Sequence, residues 1–407
     1  VSTTILPDLP TTNLIGADIP TLISVLKDQD AQRLDAVVPR SSIRVNSMGN
    51  LEFATIDEVE TTKPIITLEG SPTSFNPSGA YGLTANAEAQ VAAMFKIPLE
   101  YLRRSKVLDP AFYAQQINEW AKVAEGANML RLMWGKVEGR PELTGMARAI
   151  MSDKYKRMDN FDTLVSLLEG LGEAGNAAGI DIGPQHIQQI SLTDSRMYID
   201  INVPEIAING RELVKGYHSP YTGLSGAELP LMNAGVRITN SETGKGRLAF
   251  IPRAMFQVCT NGMQMNAFGM FKTHLGTKIE EGVIDWSDAT IEAHDQLIKS
   301  QVKDAVSTFL STDFLDKMLT EAEKDAGVPV ARPETTVQLV AKEMRYTDER
   351  ADAILKNFME GGKFTSGGLF QAVTATARDL AQVDPDAEYE LASSAPQAMK
   401  VAAKVAS

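Results

Sequence analysis

The chain has 407 residues, 43% of them hydrophobic and 22% charged, with a formal net charge of −13 and one cysteine. That length supports two or three cores of ordinary globular composition, and the acidic balance excludes a surface that attracts polyanions everywhere, because phosphate contacts need local positive potential. One cysteine excludes an intramolecular disulfide framework and a cysteine-rich zinc site, no stretch approaches the roughly 18 charge-free apolar residues of a membrane helix, and residues 1–20 lack a secretion-signal pattern, so a cytoplasmic protein with no membrane partner is expected.

Residues 1–30, rich in Thr, Pro, Asp and Leu, read as an arm with one short helix at 19–26. Between 42 and 68 the runs IRVNSMGNLEFATI and KPIITLEG predict strands, with Gly49 and Asn50 as a turn. A Gly/Pro/Ser-rich loop follows as far as Gly82. Thr84 caps a helix over 85–95, and Pro98 opens a second that reaches Arg103 and Arg104, in a spacing like a helix-turn-helix. Asp109 and Pro110 begin a third helix, DPAFYAQQINEWAKVAE, with Phe112, Ile117 and Trp120 expected to point inward.

From 129 the apolar period changes to two, and MLRLMWGKV and MARAIMS form a predicted hairpin. A helix opening near Asp159 or Asn160 is expected to close at Gly170, Gly172 and Gly175. HIQQISLT and SRMYIDINV read as two strands separated by Asp194 and Ser195, and 205–235 as a long loop of a kind that often binds something. GVRITN and RLAFIPRAMFQVC enclose the turn SETGKG as another hairpin, and from Asp288 the chain is helical. The fold class expected is α+β: a central antiparallel sheet built from hairpins with packed helices, followed by a helical C-terminal region. The division expected is an N-terminal arm with small strands at 1–80, a core domain at 81–280 and an acidic helical region at 281–407.

Four histidines, at 186, 218, 274 and 294, have no metal-ligand spacing, and phosphate-loop, GxGxxG and GxSxG motifs are missing, so neither metal nor cofactor is expected. Asp159 with Asp162, or Asp194 with Asp200, offers oxygen ligands to a hard cation, but capping and solvation explain these pairs more simply. Cys259 lies in an apolar strand and reads as a buried, inert thiol.

The basic residues carry more. Residues 96–157 hold 12 basic and 7 acidic groups, and residues 235–278 hold 6 and 1, against an acidic background. Arg131, Lys136, Arg148, Lys154, Lys156 and Arg157, with Tyr155 among them, belong to the first hairpin and its exit; Arg237, Lys245, Arg247 and Arg253 belong to the second, with Lys272 beyond. Neighbouring hairpins would line a groove suited to single-stranded nucleic acid. Otherwise these cations point in unrelated directions and pair with carboxylates. Lys96, Arg103, Arg104 and Lys106 form a secondary basic patch, read either as a nucleic-acid contact or as a solvated helix end.

Three segments, LTANAEAQVAAMFKIPLEYLRR, AIMSDKYKRMDNFDTLVSLL and GVRITNSETGKGRLAFIPRAMFQVCTNGM, resemble in order and spacing a phage- and plasmid-like protein family, domain of unknown function 932, over roughly residues 80–320. That resemblance implies a mobile-element protein in a bacterial host's cytoplasm, near DNA metabolism, and brings no catalytic residues with it. Asp153, Tyr155, Arg157 and Asn160 match the first signature; Asn240, Ser241, Gly246, Cys259, Asn261 and Gly262 match the second.

The leading expectation is therefore an accessory protein, more a binder than an enzyme, that holds single-stranded DNA, for annealing or recombination, as a homo-oligomer. One alternative is a structural or protein-interaction component of a phage, whose acidic helical region docks a basic protein partner. The other is a metal-dependent hydrolase or nuclease built on aspartates and glutamates.

Overall fold

The computed structural model describes residues 7–53, 79–152, 159–209, 230–246, 248–256, 263–266, 273–274 and 288–406. In chain order come β1 (Leu14–Ile15), α1 (Ile19–Ala31), β2 (Arg33–Pro39), β3 (Leu51–Phe53), β4 (Gly79–Leu83), α2 (Ala85–Met94), α3 (Leu99–Leu108) and α4 (Pro110–Val123). Next are β5 (Ala127–Trp134), β6 (Gly145–Ser152), α5 (Asn160–Ala178), β7 (Ile187–Leu192), β8 (Met197–Asn209), β9 (Pro230–Asn240), β10 (Ala249–Phe256), β11 (Met263–Asn266) and β12 (Thr273–His274). The chain then continues through α6 (Asp288–Phe309), α7 (Thr312–Ala326), α8 (Pro333–Met344), α9 (Asp348–Gly361), α10 (Ser366–Leu380) and α11 (Pro385–Ala406).

The class is α+β, but the described strands form two sheets rather than one central sheet. One has five strands in the order β2-β5-β6-β4-β3, and the other runs β1-β7-β8-β9-β10-β11 with β12 also on β10. In the first, β4 and β6 are parallel, with Tyr81 opposite Gly145; the second is antiparallel throughout its described pairs. The two predicted hairpins, β5–β6 and β9–β10, therefore belong to different sheets. Their outer edges are already occupied, since β6 continues into β4 and β9 into β8.

Period-two alternation sends Met197, Ile199, Ile201 and Val203 of β8 to one face, where they join Val236, Ile238 and Phe250. Against this face lie Leu22 and Leu26 of α1, Leu164 and Leu167 of α5, Val306 of α6 and Leu315 of α7, in a core that extends through Leu369 of α10 and Leu391 of α11. The C-terminal helices thus share their core with the second sheet. A second core joins the first sheet to α2–α4 through Tyr81, Val91, Leu102, Tyr113, Ile117, Leu130 and Ile150. Residues 14–53, expected as an arm with small strands, supply β1 to one sheet and β2 and β3 to the other.

Helix ends follow local chemistry. Thr84 Oγ1 accepts the Ala87 N–H at 3.2 Å, and the Asp109 carboxylate accepts from Ala111 and Phe112 at 3.1 and 3.0 Å. α5, expected to close at Gly170, Gly172 and Gly175, runs on to Gly179, which takes the left-handed φ of 71°. Gly175 serves close packing instead: a Cβ there would stand 2.5 Å from the Ile180 carbonyl oxygen. The KPIITLEG strand, most of the 205–235 loop and Cys259 lie outside the described residues.

Candidate functional site

Asp35 of β2 and Arg131 of β5 face each other across the first sheet. The guanidinium grips the carboxylate with two bonds, Nε to Oδ1 at 2.9 Å and Nη2 to Oδ2 at 2.8 Å. Arg131 is wholly buried, lies 3.1 Å from Asp159 and donates to the Glu242 carbonyl at 3.2 Å. Burial alone would lower its pKa; Asp35, Asp159 and Glu242 outweigh that and raise it.

Glu242 comes from the other sheet, at the tip of the β9–β10 hairpin. Its Oε2 lies 3.3 Å from Arg148 Nη1 on β6, and its Oε1 accepts the Asn160 N–H at 2.6 Å, at the start of α5. Asn160 Oδ1 in turn accepts from Asn240 Nδ2 at 2.9 Å. Ser241 Oγ and Thr243 Oγ1 donate to the Ser195 carbonyl at 2.7 and 3.1 Å, while Asn86 and Gln90 of α2 donate to the Thr243 carbonyl at 3.1 and 2.7 Å. This hairpin tip is thus clamped between both sheets, α2 and α5.

A second buried network sits on the other face of β8 to β10. Asp200 stands opposite Arg237 in the register and receives two bonds from it, both 2.6 Å, while Arg253 Nη1 lies 2.5 Å away. Arg237 also pairs with Glu388 of α11. Burial pushes the Asp200 pKa up, and the two guanidiniums overcome it and hold the group well below the usual carboxylate range. Nearby, Tyr198 donates its hydroxyl to Asp386 of α11, which also accepts from Ser195 at 2.7 Å and Thr193 at 3.0 Å. A cleft between Gln189, Ser191, Asp200, Arg237 and Glu388 has room for about one water-sized molecule. The arrangement pins the first turn of α11 to the sheet.

These networks correct the expected groove. Arg131, Arg148, Arg237 and Arg253 are all buried and matched by carboxylates, so their guanidiniums join elements inside the molecule instead of meeting phosphates at its surface. Lys136 and Lys245 are exposed. Gly246 is exposed at the end of the hairpin turn, and Asn240 and Ser241 are buried within it. Lys154, Tyr155, Lys156, Arg157, Arg247, Lys272, Asp153, Asn261 and Gly262 lie outside the described residues. In the secondary patch, Arg103 and Lys106 both reach the buried Glu88 at 3.3 Å, and Arg103 also meets Glu100 at 3.3 Å. Lys96 and Arg104 are exposed without an ion pair to a described residue. His186 is buried and lies 3.2 Å from Glu205, and the described residues contain no group of three or more His, Cys, Asp or Glu arranged to hold a metal ion.

A different surface emerges on α3 and α4. Tyr113, Ala114, Ile117 and Ala121 occupy the inward side of α4, with Tyr113, Ile117 and Ala121 spaced by four. That register turns Phe112 and Trp120 outward, contrary to expectation, leaving them 45% and 53% exposed. Val107, at 83%, and Leu108 mark the end of α3, Tyr101 lies two turns before Leu108 on the same side, and Val123 ends α4; all are exposed. Met48 is exposed too, in a turn whose Gly49 lies close to Lys106 and Tyr113. Monomeric proteins seldom leave so many large apolar side chains of one helical hairpin in water.

No protein-family model, no curated protein and no solved structure matches the chain.

Proposed function

We propose that this chain is an interaction protein that docks another protein on the α3–α4 hairpin. The observation that carries this reading is the outward apolar set Tyr101, Val107, Leu108, Phe112, Trp120 and Val123. Large exposed aromatics of this kind are the side chains that dominate protein interfaces when buried. The internal use of Arg131, Arg148, Arg237 and Arg253 supports it further, because it removes four cations from the nucleic-acid groove. On the strength of the family resemblance, we place this docking in a phage or plasmid. A photoreactive residue in place of Phe112 tests the reading: irradiation in cells producing the chain should yield a protein adduct, and nucleic-acid adducts alone, or none, would sink it.

A second reading keeps single-stranded DNA as the ligand. It is favoured by the exposed Arg104 on the hairpin that carries Tyr101 and Trp120, and by the exposed Lys96 in the turn before it, since cations near aromatic rings suit a stacked strand. Fluorescence polarisation with a strand of roughly 40 nucleotides at low salt checks it; binding should weaken with salt and lose about one unit of slope in Arg104→Ala.

A further inference from the structure

We infer that the occupant of the α3–α4 face is a second copy of this chain, packed about a two-fold axis, an inference that rests on the docking reading above. Area is the first argument. Tyr101, Phe112 and Trp120, each about half exposed, leave roughly 300 Å² of aromatic surface in water. Val107, Leu108 and Val123 add about 60–70 Å² apiece by the usual relation of area to transfer free energy, for a total on the order of 500 Å². A standard interface takes about 800 Å² from each partner, of which roughly 60% is apolar, or about 500 Å². The face therefore matches one half of a stable dimer and reaches the upper range of about 300–600 Å² for the largest patch on a monomer.

Charge is the second argument. Residues 88–123 carry five basic and four acidic groups, in a chain whose net charge is −13. Most are compensated locally: Lys122 pairs with Glu119 and Arg103 with Glu100 within the hairpin, and Arg103 and Lys106 both pair with Glu88 of α2. Two copies of so acidic a chain repel each other over most of their surface, and this near-neutral face is where they can approach without that penalty. An isologous contact places the same patch on both sides, so it requires interleaved signs, which this face has, whereas a nucleic-acid strand favours one sign.

Sedimentation velocity of the purified full chain from sub-micromolar to high micromolar concentration tests this. A concentration-dependent species of twice the chain mass is expected. Phe112→Glu and Trp120→Glu should each weaken the dimer by roughly 30-fold or more, the size of an aromatic hot spot. Val383→Glu, at an exposed valine away from the hairpin, should leave it unchanged, and circular dichroism establishes that each variant is folded. A chain that stays monomeric throughout, or a dimer indifferent to both hairpin variants, overturns the inference. The docking reading survives that result if the Phe112 crosslink goes to a different protein and falls with it if there is no protein adduct. Strand binding by a monomer, abolished by Trp120→Glu, overturns both in favour of nucleic acid.

Discussion

Glu242, in the β9–β10 turn of one sheet, and Arg148, on β6 of the other, have charged groups 3.3 Å apart in the interior. The carboxylate also accepts the Asn160 N–H, so one side chain ties the β9–β10 hairpin, β6 and α5 together. Buried pairs are costly to break from one side, because the abandoned charge stays desolvated. Glu242→Gln should therefore lower stability by about 3 kcal/mol in urea unfolding. Glu119→Gln, at the exposed pair with Lys122, should stay within about 0.5 kcal/mol. Equal effects in the two variants would show that Glu242 is not a joint between the sheets.

Asp200 makes a prediction about acid. Its pKa is depressed in the folded state, so its contribution is fully present above the ordinary aspartate value of about 4 and is lost as pH falls from there through the folded value. Asp200→Asn leaves Arg237 and Arg253 facing each other with one carboxylate fewer and should cost about 3–5 kcal/mol at neutral pH. The penalty should shrink as pH drops through the acid range, because the wild-type carboxylate then protonates too. Urea midpoints measured between neutral and acid pH would show this, and a pH-independent difference would contradict the ion-pair account.

The fold was readable in the sequence where local chemistry decides it. Thr84 and Asp109 cap helices as their residue types require, and the hairpins at β5–β6, β7–β8 and β9–β10 follow from alternation and turn residues. The separation into two sheets was not readable, because it depends on which strand edges are already taken, a long-range fact. The candidate site failed at the arginines for an instructive reason. Arg131 stands in the run MLRLMW and Asp200 in MYIDINV, single charges among apolar residues on both sides. Such a charge in a buried strand is nearly always paired inside, so these patterns pointed to internal ion pairs more than to a surface. On α4, Phe112 and Trp120 are eight residues apart, and hydrophobicity alone could not say whether their side or that of Tyr113 and Ile117 would face the core.

Two glycines should respond in opposite directions to alanine. At Gly145 on β6 a Cβ would stand 2.1 Å from the Met133 carbonyl oxygen and 2.8 Å from the Trp134 Cα, both backbone atoms of β5 that cannot rotate aside. Gly145→Ala should destabilise by about 3 kcal/mol or fail to fold. Gly172 lies inside α5 with nothing within 4 Å of a built Cβ. Gly172→Ala should gain about 0.5–1 kcal/mol, since alanine loses less entropy in a helix. Thermal melts of the pair give the comparison, and a destabilised Gly172→Ala would mean that α5 is packed more closely there than its geometry indicates.

Removing residues 281–407 separates two ideas of the C-terminal helices. As a detachable tail, they would leave a folded remainder whose mass alone changes. In the structure Val306, Phe309, Leu315, Met318 and Leu391 belong to the core that Ile199, Val236 and Phe250 present from the second sheet. Arg237 would also lose Glu388, and Tyr198 would lose Asp386, leaving buried polar groups without these partners. The truncated chain should therefore aggregate or unfold without a cooperative transition, and should bind a hydrophobic dye where the full chain does not lose its fold. A soluble 1–280 fragment with a sharp thermal transition would show that the helices dock on an already complete domain.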